Sequence, residues 1–96
     1  MATAHSTRLT PEQFQAIARA LAEPRRFAML QQIARQQSLS CSALQEQEHI
    51  SPATISHHLK ELQEAGLIQV EREGRCANLT LRREIWDAYV SQLAEI

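Results

Sequence analysis

The chain has 96 residues, 44% hydrophobic and 22% charged, with only 2 Gly and 3 Pro, which suits one small helix-leaning domain and argues against a disordered or fibrous chain. The opening MATAHSTRL lacks the apolar core of a signal peptide, and no stretch approaches the roughly 20 apolar residues of a membrane span, so no membrane association and a cytoplasmic location are expected. A formal net charge of −1 denies the chain the overall basic signature of many nucleic-acid binders, so such a role has to rest on local placement of charge.

Residues 1–9 read as a flexible N-terminal segment ahead of one domain spanning 10–96. Thr10-Pro11-Glu12-Gln13 has the form of a helix start: a hydroxyl N-cap, Pro at the first helical position and Gln at the capping-box position. The helix that follows carries Phe14, Ile17 and Leu21 on one stripe. Pro24 opens a second helix, with Phe27, Leu30, Ile33 and Ala34 on its predicted core face and Arg25 and Arg26 at its entrance. Ser38-Leu39-Ser40 is a connector with strand character. Ser40 or Ser42 then caps a brief third helix running to about Glu48.

His49-Ile50 makes a tight turn, and Ser51-Pro52 starts a fourth helix by the same cap-then-Pro device. Ile55, Leu59 and Leu62 form its inner face and Gly66 ends it in the left-handed conformation. The period then changes to two. Ile68 and Val70, and after Glu73-Gly74 the residues Ala77, Leu79 and Leu81, alternate with polar neighbours as a β-hairpin. Helical spacing returns from about Arg83 to Ile96. The predicted fold is mainly α with a small β-hairpin, a winged helix-turn-helix of five helices with the hairpin between the fourth and fifth.

At 100° per residue, with Ile55 as the core direction, Ala53, His57 and Lys60 point outward from the fourth helix and Ser56 and Glu61 lie on its flanks. Short side chains near the helix start, followed by hydrogen-bond donors, are what entry into a DNA major groove requires. A solvated helix face accounts for the same composition; the succession of short helix, tight turn, capped helix and hairpin favours the DNA reading. At the hairpin tip, Arg72 and Arg75 are placed to meet phosphates or the minor groove, with an ordinary solvated turn as the alternative.

Residues from about Leu21 to Leu81 resemble the ArsR/SmtB family of bacterial winged-helix repressors, through LAEPRRFAMLQQI, SPATISHHLKELQEAGLI and VEREGRCANLTL. The resemblance implies a homodimer built on the first and last helices, recognition of double-stranded DNA by the fourth helix, phosphate contacts from the wing, and release when an effector binds. By position it carries DNA contact to Ser51, Thr54, Ser56, His57 and His58, and the wing to Arg72 and Arg75. His58 stands only about 60° from the Ile55 direction, which favours a buried, hydrogen-bonded histidine over a base reader. His49 occupies a turn position where Gly is common in the family, because a positive φ is needed there.

Metal-sensing members carry Cys-x-Cys in the third helix or His and Asp pairs on the last. This chain has neither, offering Asp87 and Glu95 but no His on the last helix, so no metal and no cofactor are expected. Cys41 and Cys76 lack CxxC spacing and are expected to be reduced. Cys41 reads as a small buried hydrophobe or a thiol activated by a helix N-terminus, and Cys76 as an outward-facing thiol on the wing; both are candidate sensor thiols. With Ser38–Ser40 meeting the returning strand near Thr80, an intramolecular Cys41–Cys76 disulfide is not expected.

The last helix has a wide apolar face. Ile85, Trp86, Tyr89 and Leu93, with Phe14, Ile17 and Leu21 of the first helix, are the predicted dimer interface, intramolecular packing being the alternative for some of them. Two copies would present recognition helices about one DNA turn apart, on a pseudo-palindromic operator. A winged-helix protein-interaction module without DNA binding is the competing function. Enzymatic activity is not expected, since no phosphate loop or set of convergent carboxylates is present.

Overall fold

The computed structural model describes residues 8–74 and 76–96, with only the backbone of Glu73 and Cys76. Its elements run α1 (Pro11–Leu21), α2 (Pro24–Ala34), β1 (Leu39–Ser40), α3 (Cys41–Glu48), α4 (Pro52–Glu64), β2 (Ile68–Glu73), β3 (Cys76–Leu81) and α5 (Arg83–Ala94). This is the predicted winged helix-turn-helix order, and the strand character read at Ser38–Ser40 takes form as β1, which pairs with β3 to give a three-stranded antiparallel sheet in the order β1-β3-β2.

The helix starts follow from local chemistry. Thr10 accepts from Gln13 N at 3.1 Å and Gln13 Oε1 accepts from Thr10 N at 2.9 Å, so both halves of the capping box are formed ahead of Pro11, satisfying two backbone donors that the helix itself leaves open. Ser40 caps α3 through Ala43 N at 3.1 Å. At the end of α4, Leu67 N donates to Leu62 O at 3.0 Å and Gly66 N to Gln63 O at 2.9 Å, the paired bonds of a Schellman stop, with Gly66 at φ +82°. Nothing lies within 4 Å of where a Cβ would stand on Gly66, so backbone angle alone selects glycine there.

Ile17, Met29, Ile33, Leu44, Ile55, Leu62, Leu67, Ile68 and Leu79 are fully buried and join all five helices' inner faces to the sheet through neighbours such as Ile85 and Tyr89; side chains of this kind each contribute about 1.5–3 kcal/mol on leaving water. The inner face of α2 differs from the predicted one. Met29, Leu30 and Ile33 are buried while Phe27 is 38% exposed and Ala34 half-buried. The buried arc centres on Ile33, and at 100° per residue Phe27 stands about 115° away from that centre. The strand register is close to the predicted one: Leu39 pairs with Leu79 and Ser40 with Asn78, so β1 meets β3 beside Thr80.

The predicted flexible segment 1–9 falls mostly outside the described residues, but its last two members are fixed to α5. Leu9 is buried and its N–H donates to Gln92 Oε1 at 2.8 Å, while Arg8 forms a two-pronged pair with Glu95 at 3.0 and 3.1 Å. The Arg8 guanidinium bonds to the Glu95 carboxyl and lowers its pKa, and Glu95 in turn raises that of Arg8.

His49, the C-cap of α3, has φ 55° and ψ 36°, the left-handed conformation anticipated for it. Such a conformation costs a non-glycine residue about 1–2 kcal/mol, part of which glycine returns as extra freedom in the unfolded chain. His49→Gly is therefore expected to raise the unfolding free energy by about 0.5–1 kcal/mol, seen as a higher urea midpoint at unchanged slope. A lower midpoint would contradict this.

Candidate nucleic-acid interface

The α3–turn–α4 unit presents one face of α4 away from the core. Ile55, His58, Leu59 and Leu62 are buried, whereas Ala53, Ser56, His57 and Lys60 are exposed, which is the division expected from the helix period. Ser51 is exposed, but its hydroxyl is committed: Oγ accepts from Thr54 N at 3.2 Å and lies 2.9 Å from Thr54 Oγ1. The pair of hydroxyls fixes the first turn of α4, and Thr54 is half-buried.

His58 is removed from the outward set. It is 6% exposed on the inner side of α4, with Arg26 Nη1 3.3 Å from its Nδ1 and Glu23 Oε2 3.6 Å from its Nε2. A guanidinium can only donate, so Nδ1 is the acceptor and the proton of the neutral ring sits on Nε2, facing the carboxylate. Arg26 also donates to the carbonyls of Ala20 at 2.8 Å and Arg19 at 3.4 Å. One side chain thus ties the end of α1 and the start of α2 to α4. Glu23 is the N-cap of α2 and accepts from Arg25 N; that bond is the main cause of its lowered pKa, with His58 and Arg26 assisting. Sequence reasoning missed this cluster, because Arg26 and His58 are 32 residues apart and no local pattern joins them.

Burial pushes the pKa of His58 down. Glu23 opposes this, while Arg26, His57 and Arg25 add to it. A histidine whose folded pKa lies below its unfolded value of about 6.5 binds protons more readily when unfolded, so stability falls as pH drops through that value. Protonation would also set a new N–H at Nδ1 against the donors of Arg26. The native protein is accordingly expected to lose melting temperature between about pH 7.5 and 5.5 relative to His58→Gln, which keeps polar groups but cannot titrate. Parallel melting curves for the two proteins across that range would contradict it.

The wing brings a second set of groups beside α4. Arg72 is exposed on β2, and a groove of about 470 Å³ between α3, α4 and the sheet is lined by Arg72, Lys60, Ser56 and Cys41 over an apolar floor that includes Leu59 and Val70. Two cations thus share one groove. The half-buried Cys41 is the first residue of α3 and lines the same groove. Arg75 and the Cys76 thiol, both expected on the wing, lie outside the described residues. Among the described residues no group of three or more His, Cys, Asp or Glu is placed to hold a metal, and no helix is long and apolar enough to cross a membrane.

The predicted interface on α1 and α5 divides in two. Ile17, Ile85 and Tyr89 are buried within the protomer and have little surface to offer a partner. All three belong to the common core, and the Phe14 and Tyr89 rings meet between α1 and α5 with centroids 4.8 Å apart. Phe14, Leu21 and Trp86 stay half-buried, and Leu93 is 41% exposed. Val90, 44% exposed and absent from the predicted set, completes an outward stripe Trp86–Val90–Leu93 at i, i+4 and i+7.

Residues 21–71 match the helix-turn-helix domain family. The chain is 30% identical over 80 residues to the uncharacterized HTH-type transcriptional regulator YceK of Bacillus subtilis, covering 82% of this chain and 80% of that protein. The crystal structure of an ArsR family transcriptional regulator superposes with a TM-score of 0.81 at 28% identity, covering 93% of this chain and 91% of the other. A solution structure from Mycobacterium bovis, described as a homodimeric winged helix-turn-helix DNA-binding domain and a possible ArsR-family regulator, has a TM-score of 0.72 at 23% identity and covers 88% of this chain and 80% of its own. The match thus spans the α3–α4 unit in sequence as well as in fold, and the chain belongs to the ArsR-type winged helix-turn-helix transcriptional regulators.

Proposed function

We propose that the protein binds double-stranded DNA as a homodimer and represses transcription from a pseudo-palindromic operator until an effector releases it. One observation carries this reading: the only face of α4 left outside the core is made of small or hydrogen-bonding side chains, and it adjoins a groove holding Lys60 and Arg72. Ala53 permits close approach, Ser56 and His57 reach base edges, and Ser51 and Thr54 hold the first turn against the duplex backbone. Lys60, Arg72 and Arg75 meet phosphates. The homodimeric state of the Mycobacterium bovis domain and the exposed stripe on α5 support pairing through α5.

Thiol-based release has one support, the position of Cys41 in the groove between Lys60 and the sheet, where an adduct would obstruct both cations. Loss of DNA binding on oxidation that disappears in Cys41→Ser is the expected result. The repressor reading is tested by footprinting the protein on the promoter region of its own gene. Two protected half-sites about 10 base pairs apart, centre to centre, are expected. A promoter with no protected site, and partners captured by the same exposed faces instead, would support the protein-interaction module that the near-neutral net charge also suits.

A further inference from the structure

A cleft that shares no lining residue with the DNA-facing groove has no role in the reading above. It lies between α2, the last residue of β3 and the first turns of α5, with Phe27 and Trp86 as its walls and Leu30, Ala34 and Leu81 completing its apolar lining. Its volume is about 180 Å³. A cavity of about 150 Å³ lined by similar side chains is sufficient to take up benzene, so the space suits one aromatic ring with a small substituent. Phe27 is 38% exposed and Trp86 half-buried, two aromatic faces that the protomer leaves incompletely covered.

The mouth of the cleft is not apolar. Gln31 and Arg83 line it, and the charge of Arg83 is not spent elsewhere: Arg82 pairs with Glu84 at 3.2 Å, whereas Arg83 has no ion-pair partner among the described residues. A guanidinium at the rim of an aromatic slot selects a planar anion whose ring enters the slot, because a carboxylate accepts two parallel N–H bonds from it.

We propose that this cleft is a binding site for a single-ring aromatic carboxylate. The ring lies between Phe27 and Trp86, and the carboxylate meets Arg83 with the amide of Gln31 beside it. Occupation presses on Trp86, which belongs to the outward stripe of α5 together with Val90 and Leu93, so the ligand acts on the surface through which the protomers pair. That consequence rests on the proposed dimer; the binding site itself does not.

Trp86 is the single tryptophan of the chain and reports directly on occupancy. The test is a titration of the purified full-length protein with benzoate, and with benzamide as the uncharged analogue, followed by Trp86 fluorescence in the absence of DNA. Benzoate is expected to give a saturable change with a dissociation constant on the order of 0.1–1 mM, and benzamide to bind about tenfold more weakly. Arg83→Gln should bring benzoate down to the level of benzamide, and Ala34→Leu, which fills the cleft from the last residue of α2, should abolish both responses while the melting curve remains cooperative. No saturable response, equal affinity for the two compounds, or unchanged binding by Ala34→Leu overturns the proposal. So does Trp86 emission that follows protein dilution but not benzoate, since a side chain of the second copy would then occupy the cleft. Because no DNA is present, a failure here leaves the operator-binding reading standing, and a protein that binds benzoate without binding DNA separates the two in the other direction.

Discussion

Lys60→Glu is expected to lower operator affinity by roughly 10²- to 10³-fold, the largest effect of any single surface substitution on the DNA face. Lys60 is exposed on the outward side of α4, with Arg72 in the same groove. Reversing its charge removes a phosphate contact and adds a repulsion, together about 1.5–2 kcal/mol for each protomer. In a symmetric dimer the change occurs twice, which gives the fold-change above. The slope of affinity against salt should fall by about 2 in the same experiment, since two phosphate contacts are lost. Lys60→Met, which removes the contact without the repulsion, should lie between the native protein and Lys60→Glu. The melting temperature is expected to stay within the small range of ordinary exposed substitutions, so a loss of DNA binding would not be a loss of fold. Unchanged affinity and slope in Lys60→Glu would remove α4 from the DNA.

Leu93→Asp is expected to convert the dimer to a monomer, and Val90→Asp to do the same. Both side chains are more than two-fifths exposed in the protomer, at 41% and 44%, so a carboxylate in either place costs the isolated fold little. In a two-fold interface each substitution buries two like charges with no partner, at a cost of several kcal/mol. The dimer dissociation constant should rise at least about 1000-fold, read as a shift from dimer to monomer in sedimentation velocity. Operator affinity should fall with it, because two half-sites would then be filled independently. The contrast with the α1 and α5 residues inside the core is informative. Ile17→Ala or Ile85→Ala removes packing from buried positions and is expected to cost about 2–5 kcal/mol of folding stability, lowering the melting temperature instead of changing the association state. A Leu93→Asp protein that remains dimeric would place the interface elsewhere.

The features legible in the sequence were those fixed by neighbours a few residues apart. The capping box of α1, the Pro that opens α1, α2 and α4, the glycine stop at Gly66 and the strained turn at His49 are local devices, and each occurs where its residues predicted it. The outward face of α4 was legible for the same reason, because the helix period alone separates Ala53, His57 and Lys60 from Ile55 and Leu62. What was not legible depends on which neighbour a face meets. Phe27 and Met29 exchange roles on α2 because the rest of the core approaches that helix from one side. Ile17, Ile85 and Tyr89 have the apolarity of interface residues but are taken up by the protomer's own core, a competition that hydrophobicity does not decide. The Glu23–Arg26–His58 cluster and the docking of Arg8 and Leu9 onto Glu95 and Gln92 join residues far apart in the chain, so nothing in the local pattern announces them. His58 sits beside His57 in sequence, yet one faces the core and the other solvent, because the edge of the buried arc of α4 falls between them.

The most direct measurement of the central claim is equilibrium binding of the purified protein to a fragment of its own promoter region and to a scrambled fragment of equal length, at 50 and 200 mM salt. With Lys60, Arg72 and Arg75 on each protomer, about six phosphate contacts are expected in a dimer, and affinity should fall on the order of 10³-fold between the two salt concentrations. At either concentration the promoter fragment should be preferred over the scrambled one by at least about 10³-fold, and His57→Ala should reduce that preference. Equal affinity for the two fragments, or no binding at the lower salt, would contradict the assignment of this protein as a sequence-selective DNA-binding regulator.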